Sequence, residues 1–265
     1  MNPFAFHRPT SISDAIAALK GAEDGKLLAG GQSLLPVLKL DMAEPSDLIT
    51  LSAIPDLDGI DASSDSLTLG ACVTHARVAA SDVVQGAIPA LAALAGHIGD
   101  AQVRNRGTIG GSLAHADPAS DYGAAVVALG ATIITDRREI AAADFYTAFF
   151  ETALEDDEII KAVRFPKPEV AAYRKFPNPA SRYPVVGVMV AKVGGEVRVG
   201  VTGAGETAYR QADLEKALAA SLSADAVEGV DVSAEGLNDD PDASAAYRAH
   251  LIKVMTKRAV ADLSA

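Results

Sequence analysis

Only one cysteine, Cys72, occurs in these 265 residues, and tryptophan is absent. A single thiol excludes a disulfide framework, a Cys-ligated zinc site and an iron–sulfur cluster built from this chain alone. The five histidines are scattered and no two sit four apart on one helix, so no metal site is expected. Positive charge is also short: 23 Lys and Arg against 35 Asp and Glu give a net charge of -12. That balance argues against binding to nucleic acid or to an anionic membrane. No apolar run approaches membrane-spanning length, and the opening MNPFAFHRPTS lacks the charged-then-apolar pattern of a signal peptide. A cytoplasmic protein without a membrane span is expected. Internal repeats and low-complexity segments are missing too.

Hydrolytic chemistry finds little support. Ser112 lies in Gly-Gly-Ser-Leu-Ala, not in the Gly-x-Ser-x-Gly of a nucleophile elbow. Cys72 near His75 allows a Cys/His nucleophile to be imagined, but no third element joins them, and a packed thiol is the simpler reading. No catalytic acid, base or nucleophile emerges.

What is present is a mixture of short strands and helices. Apolar spacing in Thr10–Gly21 gives an amphipathic helix, followed by a strand at Lys26–Ala29, a helical turn at Leu34–Leu40 and a strand at Asp47–Leu51. Pro, Asp, Gly and Ser crowd Ile54–Ser66, which reads as a boundary between subdomains. Strands follow at Leu67–Ala71, Ala131–Thr135, Ile140–Ala143 and Glu158–Phe165, with helices from Pro89 and over Asp121–Leu129. The Pro-rich Pro166–Pro184 reads as a connection. Val185–Val193, Gly194-Gly195 and Glu196–Val201 form a hairpin signal, and helices close the chain, the last over Asp242–Lys257 with Tyr247, Leu251, Val254 and Met255 on one face. Asp225–Asp242 carries acidic residues but no Lys or Arg, as a solvated face does. The expected units are 1–56, 57–170 and 171–265.

Two stretches carry chemistry. Gly99–Asp121 reads GDAQVRNRGTIGGSLAHADPASD, and Ala29–Ser33 reads AGGQS. Glycine lets a backbone come close to a large polar ligand, and free N–H groups in such turns hold phosphate oxygens. Flanking hydroxyls and carboxylates suit ribose and ribityl hydroxyls. An ordinary Gly-rich turn before an N-capped helix gives the same local pattern, so either stretch alone is ambiguous. Asp117 and Asp121, four apart at a helix start, suit capping or hydroxyl binding better than acid/base work. Two Gly-Gly-hydroxyl segments in one chain suit a ligand with two phosphates.

Four segments together resemble a family: Leu28-Ala29-Gly30-Gly31-Gln32-Ser33-Leu34, Leu69-Gly70-Ala71, Gln102–Ser112 (QVRNRGTIGGS) and Asp117-Pro118-Ala119-Ser120-Asp121. They are similar to the FAD-binding medium subunit of molybdenum hydroxylases, the type found in carbon monoxide, xanthine and aldehyde dehydrogenases, over essentially the whole chain. The resemblance implies an α+β fold: a two-subdomain PCMH-type FAD-binding domain followed by a C-terminal β-hairpin/sheet plus helices domain. FAD would lie between the first two subdomains and be overhung by the third unit. By motif, Leu28, Ala29, Gly30, Gly31, Gln32, Ser33 and Leu34, together with Ala71, Thr108, Ile109, Gly110, Gly111 and Ser112, would surround it, the two glycine segments cradling the pyrophosphate. Asp117 and Asp121 would face its hydroxyls, Val163 and Lys175 would lie near the adenine, and Tyr183 would stand against the isoalloxazine.

The resemblance further implies electrons arriving from an iron–sulfur small subunit, a molybdopterin large subunit beside it, and an acceptor such as NAD or quinone. A free-standing FAD-dependent oxidoreductase and a flavin-less scaffold subunit are the alternatives. Three departures stand out: Ser181-Arg182 where many relatives have Gly-Asp, Gln32 where some have His, and no Cys-rich insertion.

Overall fold

The computed structural model describes residues 2–263. Short β1 (Ala5–His7) opens the chain, followed by α1 (Ile12–Gly21), β2 (Gly25–Leu28), α2 (Leu34–Lys39) and β3 (Asp47–Thr50). The three strands form a parallel sheet in the order β1-β3-β2. Ser11 caps α1 through its side chain, accepting from the Asp14 N–H. Ala15, Ile49, Leu51, Ile54 and Leu57 close a small core under that helix.

Next come β4 (Ile60–Ala62), β5 (Ser66–Gly70), α3 (His75–Ala80), α4 (Asp82–Ala87), α5 (Pro89–Gly96), α6 (Ala101–Arg106), α7 (Ile109–His115) and α8 (Asp121–Leu129). They lead into β6 (Thr132–Thr135), β7 (Glu139–Ala141), the small hairpin β8 (Tyr146–Ala148) and β9 (Glu151–Thr152), and β10 (Ile160–Pro166). The main sheet runs β4-β5-β10-β6-β7, antiparallel throughout. All nine residues of α8 are buried, and Gly130 ends the helix in the left-handed conformation at φ 65°. A helix apolar all round must be covered on every side. Here one cover is the third unit.

That unit holds β11 (Val170–Pro177), β12 (Pro184–Val193), β13 (Glu196–Thr202), β14 (Tyr209–Arg210), α9 (Ala212–Ala220), α10 (Ala224–Glu228) and α11 (Ala245–Leu263). The strands form an antiparallel sheet in chain order. Gly194 and Gly195 turn the β12–β13 hairpin with φ of 60° and 82°, the two left-handed positions that a tight hairpin needs. Gly200 lies so close to α8 that a Cβ on it would collide with the Ala124 carbonyl oxygen. A large apolar cluster of its own, centred on Val188, Val199, Leu214 and Ile252, stabilises the unit.

Three expectations need correction. Val170–Pro177 is not a connector but a full strand paired to β12. Its prolines bracket the paired stretch instead of interrupting it, which is where a strand tolerates them. The last helix runs on to Leu263, and Tyr247 lies outside its buried face, 43% exposed, while Arg248 lies inside at 3%. Arg248 takes that place because its Nη1 donates to the carbonyls of Val185 and Gly203, at 2.6 and 2.9 Å. Finally, β1 and β4 were not anticipated, each being only three residues long.

Candidate flavin-binding cleft

A cavity of about 640 Å³ opens between the parallel sheet and the main sheet. Leu28–Leu34, Ala71, Thr108, Gly110, Gly111, Ser112, Asp117, Asp121 and Tyr183 line it. Ile109, Val163 and Lys175 do not. Ile109 and Val163 are fully buried in the main core, Val163 paired in the sheet with Leu69 and Ile133. Neighbouring Ile159 and Ile160 reach the cavity instead.

The first glycine segment leaves β2 and turns into α2. Gly31 is left-handed at φ 73°. Among the described residues, the amide N–H groups of Gly30, Gly31, Gln32 and Ser33 have no hydrogen-bond partner within the protein. A row of free N–H groups on a cavity wall is an anion nest. The second segment differs. Its Gly-Gly-Ser lies inside α7, and its N–H groups are occupied: Ile109 on Val73 O, Gly110 on Ala71 O, Gly111 on Thr108 Oγ1 and Ser112 on Thr108 O. It therefore supplies the cavity with surface and hydroxyls, not with an N–H cradle, and that part of the expectation is corrected. Ser112 Oγ is in addition 2.7 Å from Ser120 Oγ.

Glycine at Gly30 and Gly110 serves packing between protein segments. A Cβ on Gly30 would collide with the Arg106 carbonyl and stand 2.7 Å from Gly107 Cα; on Gly110 it would stand 2.8 Å from Ala71 O. The two glycine segments are thereby held against each other and against β5.

Asp121 is 4% exposed. Its Oδ1 accepts from Tyr173 Oη at 2.8 Å and from Lys175 Nζ at 2.9 Å. Burial pushes this carboxyl upward, while the ammonium and the phenol pull the other way. Lys175 Nζ also donates to His97 O and Arg182 O, at 2.9 and 3.0 Å. So Lys175 reaches the cleft through Asp121 and through the 178–183 turn, not by lining it. That turn carries Tyr183, and Arg182 adopts φ 65° beside it.

Cys72 and His75, weighed in the sequence only as a nucleophile pair, both line the cleft. His75 is 5% exposed, and burial, aided by the charge on Arg104, lowers its imidazole to about 4. Burial likewise pushes the Cys72 thiol up to about 11. Burial thus favours a neutral imidazole and a protonated thiol, which counts against the Cys/His alternative. Thr74 caps α3 through its side chain and so sets His75 at the helix start. Glu158 reaches the cleft wall too, but its carboxylate is bound by Arg138 at 2.8 Å and Thr135 at 2.7 Å, and the Arg138 hydrogen bond holds it down at about 2.

A family profile described as the FAD binding domain in molybdopterin dehydrogenase matches residues 2–168. A second, described as the CO dehydrogenase flavoprotein C-terminal domain, matches residues 171–263. The chain belongs to the FAD-binding medium subunits of molybdenum hydroxylases. This medium subunit is 35% identical to the nicotine 6-hydroxylase medium subunit of Paenarthrobacter nicotinovorans, over 97% of this chain and 96% of that one. It is 35% identical, with the same coverage, to the carbon monoxide dehydrogenase medium chain of Hydrogenophaga pseudoflava. Its fold superposes on a chain of the Cu,Mo-CO dehydrogenase crystal structure with a TM-score of 0.91 at 33% identity, covering 99% of both chains. The α+β architecture and FAD as cofactor follow from that membership. Among the described residues, no helix of the medium subunit is long and apolar enough to cross a membrane.

Proposed function

We propose that this medium subunit holds FAD in the 640 Å³ cleft and relays electrons through it from an iron–sulfur small subunit to an external acceptor. A molybdopterin large subunit completes the assembly. The observation that carries the reading is the row of free N–H groups from Gly30 to Ser33 on the cleft wall, which suits a pyrophosphate. Ser112 offers a hydroxyl and Asp117 a carboxylate to the same cleft, while the Thr108 hydroxyl caps Gly111. Asp121 is better described as the counter-ion of Lys175 than as a ligand group, since Oδ1 is already doubly bonded. Tyr183 stands where an aromatic can lie against a flat ring.

Bound flavin would supply the redox chemistry, exchanging electrons singly or in pairs. The chain's residues bind, orient and shield it. The units 1–56, 57–170 and 171–265 then act as two jaws and a cover, packed into one another, since the main apolar cluster takes in Tyr173, Met189, Ala191 and Val193 and the smallest takes in Leu57 and Ile159. Medium subunits of this type work inside the cell in this reading.

The test is an FAD titration of the full chain, read by flavin absorbance and fluorescence, beside Ser33→Asp. That substitution puts a negative charge among the free N–H groups and changes nothing in the core. FAD affinity is expected to fall at least tenfold with an unchanged melting temperature. Equal affinity in the variant would remove the pyrophosphate from this loop. If the isolated chain takes up no FAD, the same pair is compared in the co-expressed complex.

A further inference from the structure

Lys175 stands on β11 with its side chain buried. An ammonium group carries three N–H donors. Lys175 Nζ has three acceptors in reach: Asp121 Oδ1 at 2.9 Å, the His97 carbonyl at 2.9 Å and the Arg182 carbonyl at 3.0 Å. The set is complete, so no donor is left over for a ligand. The acceptors belong to three separate segments: the start of α8, the residue that caps α5 at its C-terminus, and the 178–183 turn between β11 and β12.

That turn is closed upon itself. Asn178 Oδ1 accepts from the N–H groups of Ala180 and Ser181, Asn178 O accepts from the Arg182 N–H at 2.8 Å, and the Asn178 N–H donates to Tyr183 O at 2.7 Å. A loop bonded internally in this way shifts as one piece, not residue by residue. Outward from it run the Lys175–Arg182 bond and a longer one, from Arg182 Nη1 to Gly99 O at 3.4 Å. Arg182 is held at φ 65°, a left-handed conformation that is unfavourable for a residue with a side chain. The carbonyl that Lys175 binds is the one belonging to this residue. The bond therefore helps to fix the left-handed conformation, and with it the direction in which the chain enters Tyr183.

We propose that Lys175 is a positioning residue: by tying the Arg182 carbonyl to Asp121 and His97, it sets the ring of Tyr183 against the isoalloxazine without itself touching the cofactor. Asp121 supplies the counter-charge without which this ammonium could not be buried, and Tyr173 holds the carboxylate in place. One side chain thus joins the second unit to the third at the point where Tyr183 faces the cleft. The proposal rests on the assignment of the large cleft to FAD, with Tyr183 beside its ring.

The experiment is time-resolved flavin fluorescence of the FAD-loaded full chain, arranged as a double-mutant cycle. A phenol in contact with the isoalloxazine shortens its excited state by lending it an electron that then returns. Tyr183→Leu should therefore lengthen the fluorescence lifetime severalfold. Lys175→Met should give most of that lengthening while Tyr183 is present, and none in the Tyr183→Leu background, where there is no phenol to misplace. A merely structural role would change both backgrounds alike. The charge-balanced pair Lys175→Met with Asp121→Asn leaves no buried charge unpaired and should repeat the result. An unchanged lifetime in Lys175→Met and in the pair, or the same lengthening with and without Tyr183, would overturn the proposal. If Tyr183→Leu leaves the lifetime as it was, the ring is not beside Tyr183 and the proposal falls with that placement. A failure of the FAD assignment shows itself separately, as flavin retained by neither the chain nor the co-expressed complex.

Discussion

Ala29–Ser33 and Thr108–Ser112 carry almost the same letters, two glycines and a hydroxyl, yet they solve different problems. The first is a loop that ends a strand and keeps its N–H groups free on the cavity wall. The second is the start of a helix whose N–H groups are taken by Val73, Ala71 and Thr108. Gly31 is needed for its conformation, and Gly30 and Gly110 for lack of a side chain against neighbouring backbone. A glycine pair therefore does not define an anion cradle. What defines it is whether the surrounding chain has left those amides without acceptors.

The comparison can be strained hardest at Gly30. A valine there would drive its Cβ into the Arg106–Gly107 backbone, which cannot rotate away. Stability is expected to fall by about 3 kcal/mol or more, at the upper end for overpacking, read as a shift of the urea midpoint. Equal stability would mean that the two segments are not clamped together as described.

Acid attacks the second segment through His75, which packs on Gly107 just before it. Its folded value of about 4 lies below the ordinary 6.5. The unfolded chain therefore binds the proton first, and stability drops as pH falls from about 6.5 to about 4. The loss amounts to about 3 kcal/mol over that window. In His75→Leu this slope should flatten, as measured by denaturant melts at several pH values.

The mildest change is the sharpest discriminator. Thr108→Ala removes the cap on Gly111 and should cost about 1 kcal/mol, with Thr108→Ser recovering most of it. FAD affinity should stay within about twofold if the pyrophosphate sits on the first segment, since a tenfold change would need about 1.4 kcal/mol. A tenfold loss of affinity in Thr108→Ala would make the two segments equal partners after all.

Local signals were enough for α8 and the β12–β13 hairpin, because Gly130 and the Gly194-Gly195 pair mark their ends within a few residues. They were misleading for β11, where prolines at both ends resemble a linker and the pairing partner lies on another strand. They also placed Tyr247 inside and said nothing of Arg248, since a buried arginine depends on carbonyls of Val185 and Gly203 far along the chain. In the site, the glycines and hydroxyls could be picked out directly. The free or occupied state of their amides could not, because the acceptors at Ala71 and Val73 come from another segment. The partners of Asp121, Tyr173 and Lys175, are likewise invisible from its neighbours.

Those two partners have a consequence for synthesis. Asp121 precedes Tyr173 by 52 residues, so a ribosome releases the carboxylate well before its cation and phenol. Until β11 emerges and docks, the first two thirds of the chain contain a carboxylate at the cleft floor with neither counter-ion nor hydrogen-bond donor. Burying it in that state is strongly unfavourable. The buried environment of Asp121 is thus complete only once the last strand-rich unit has supplied Tyr173 and Lys175.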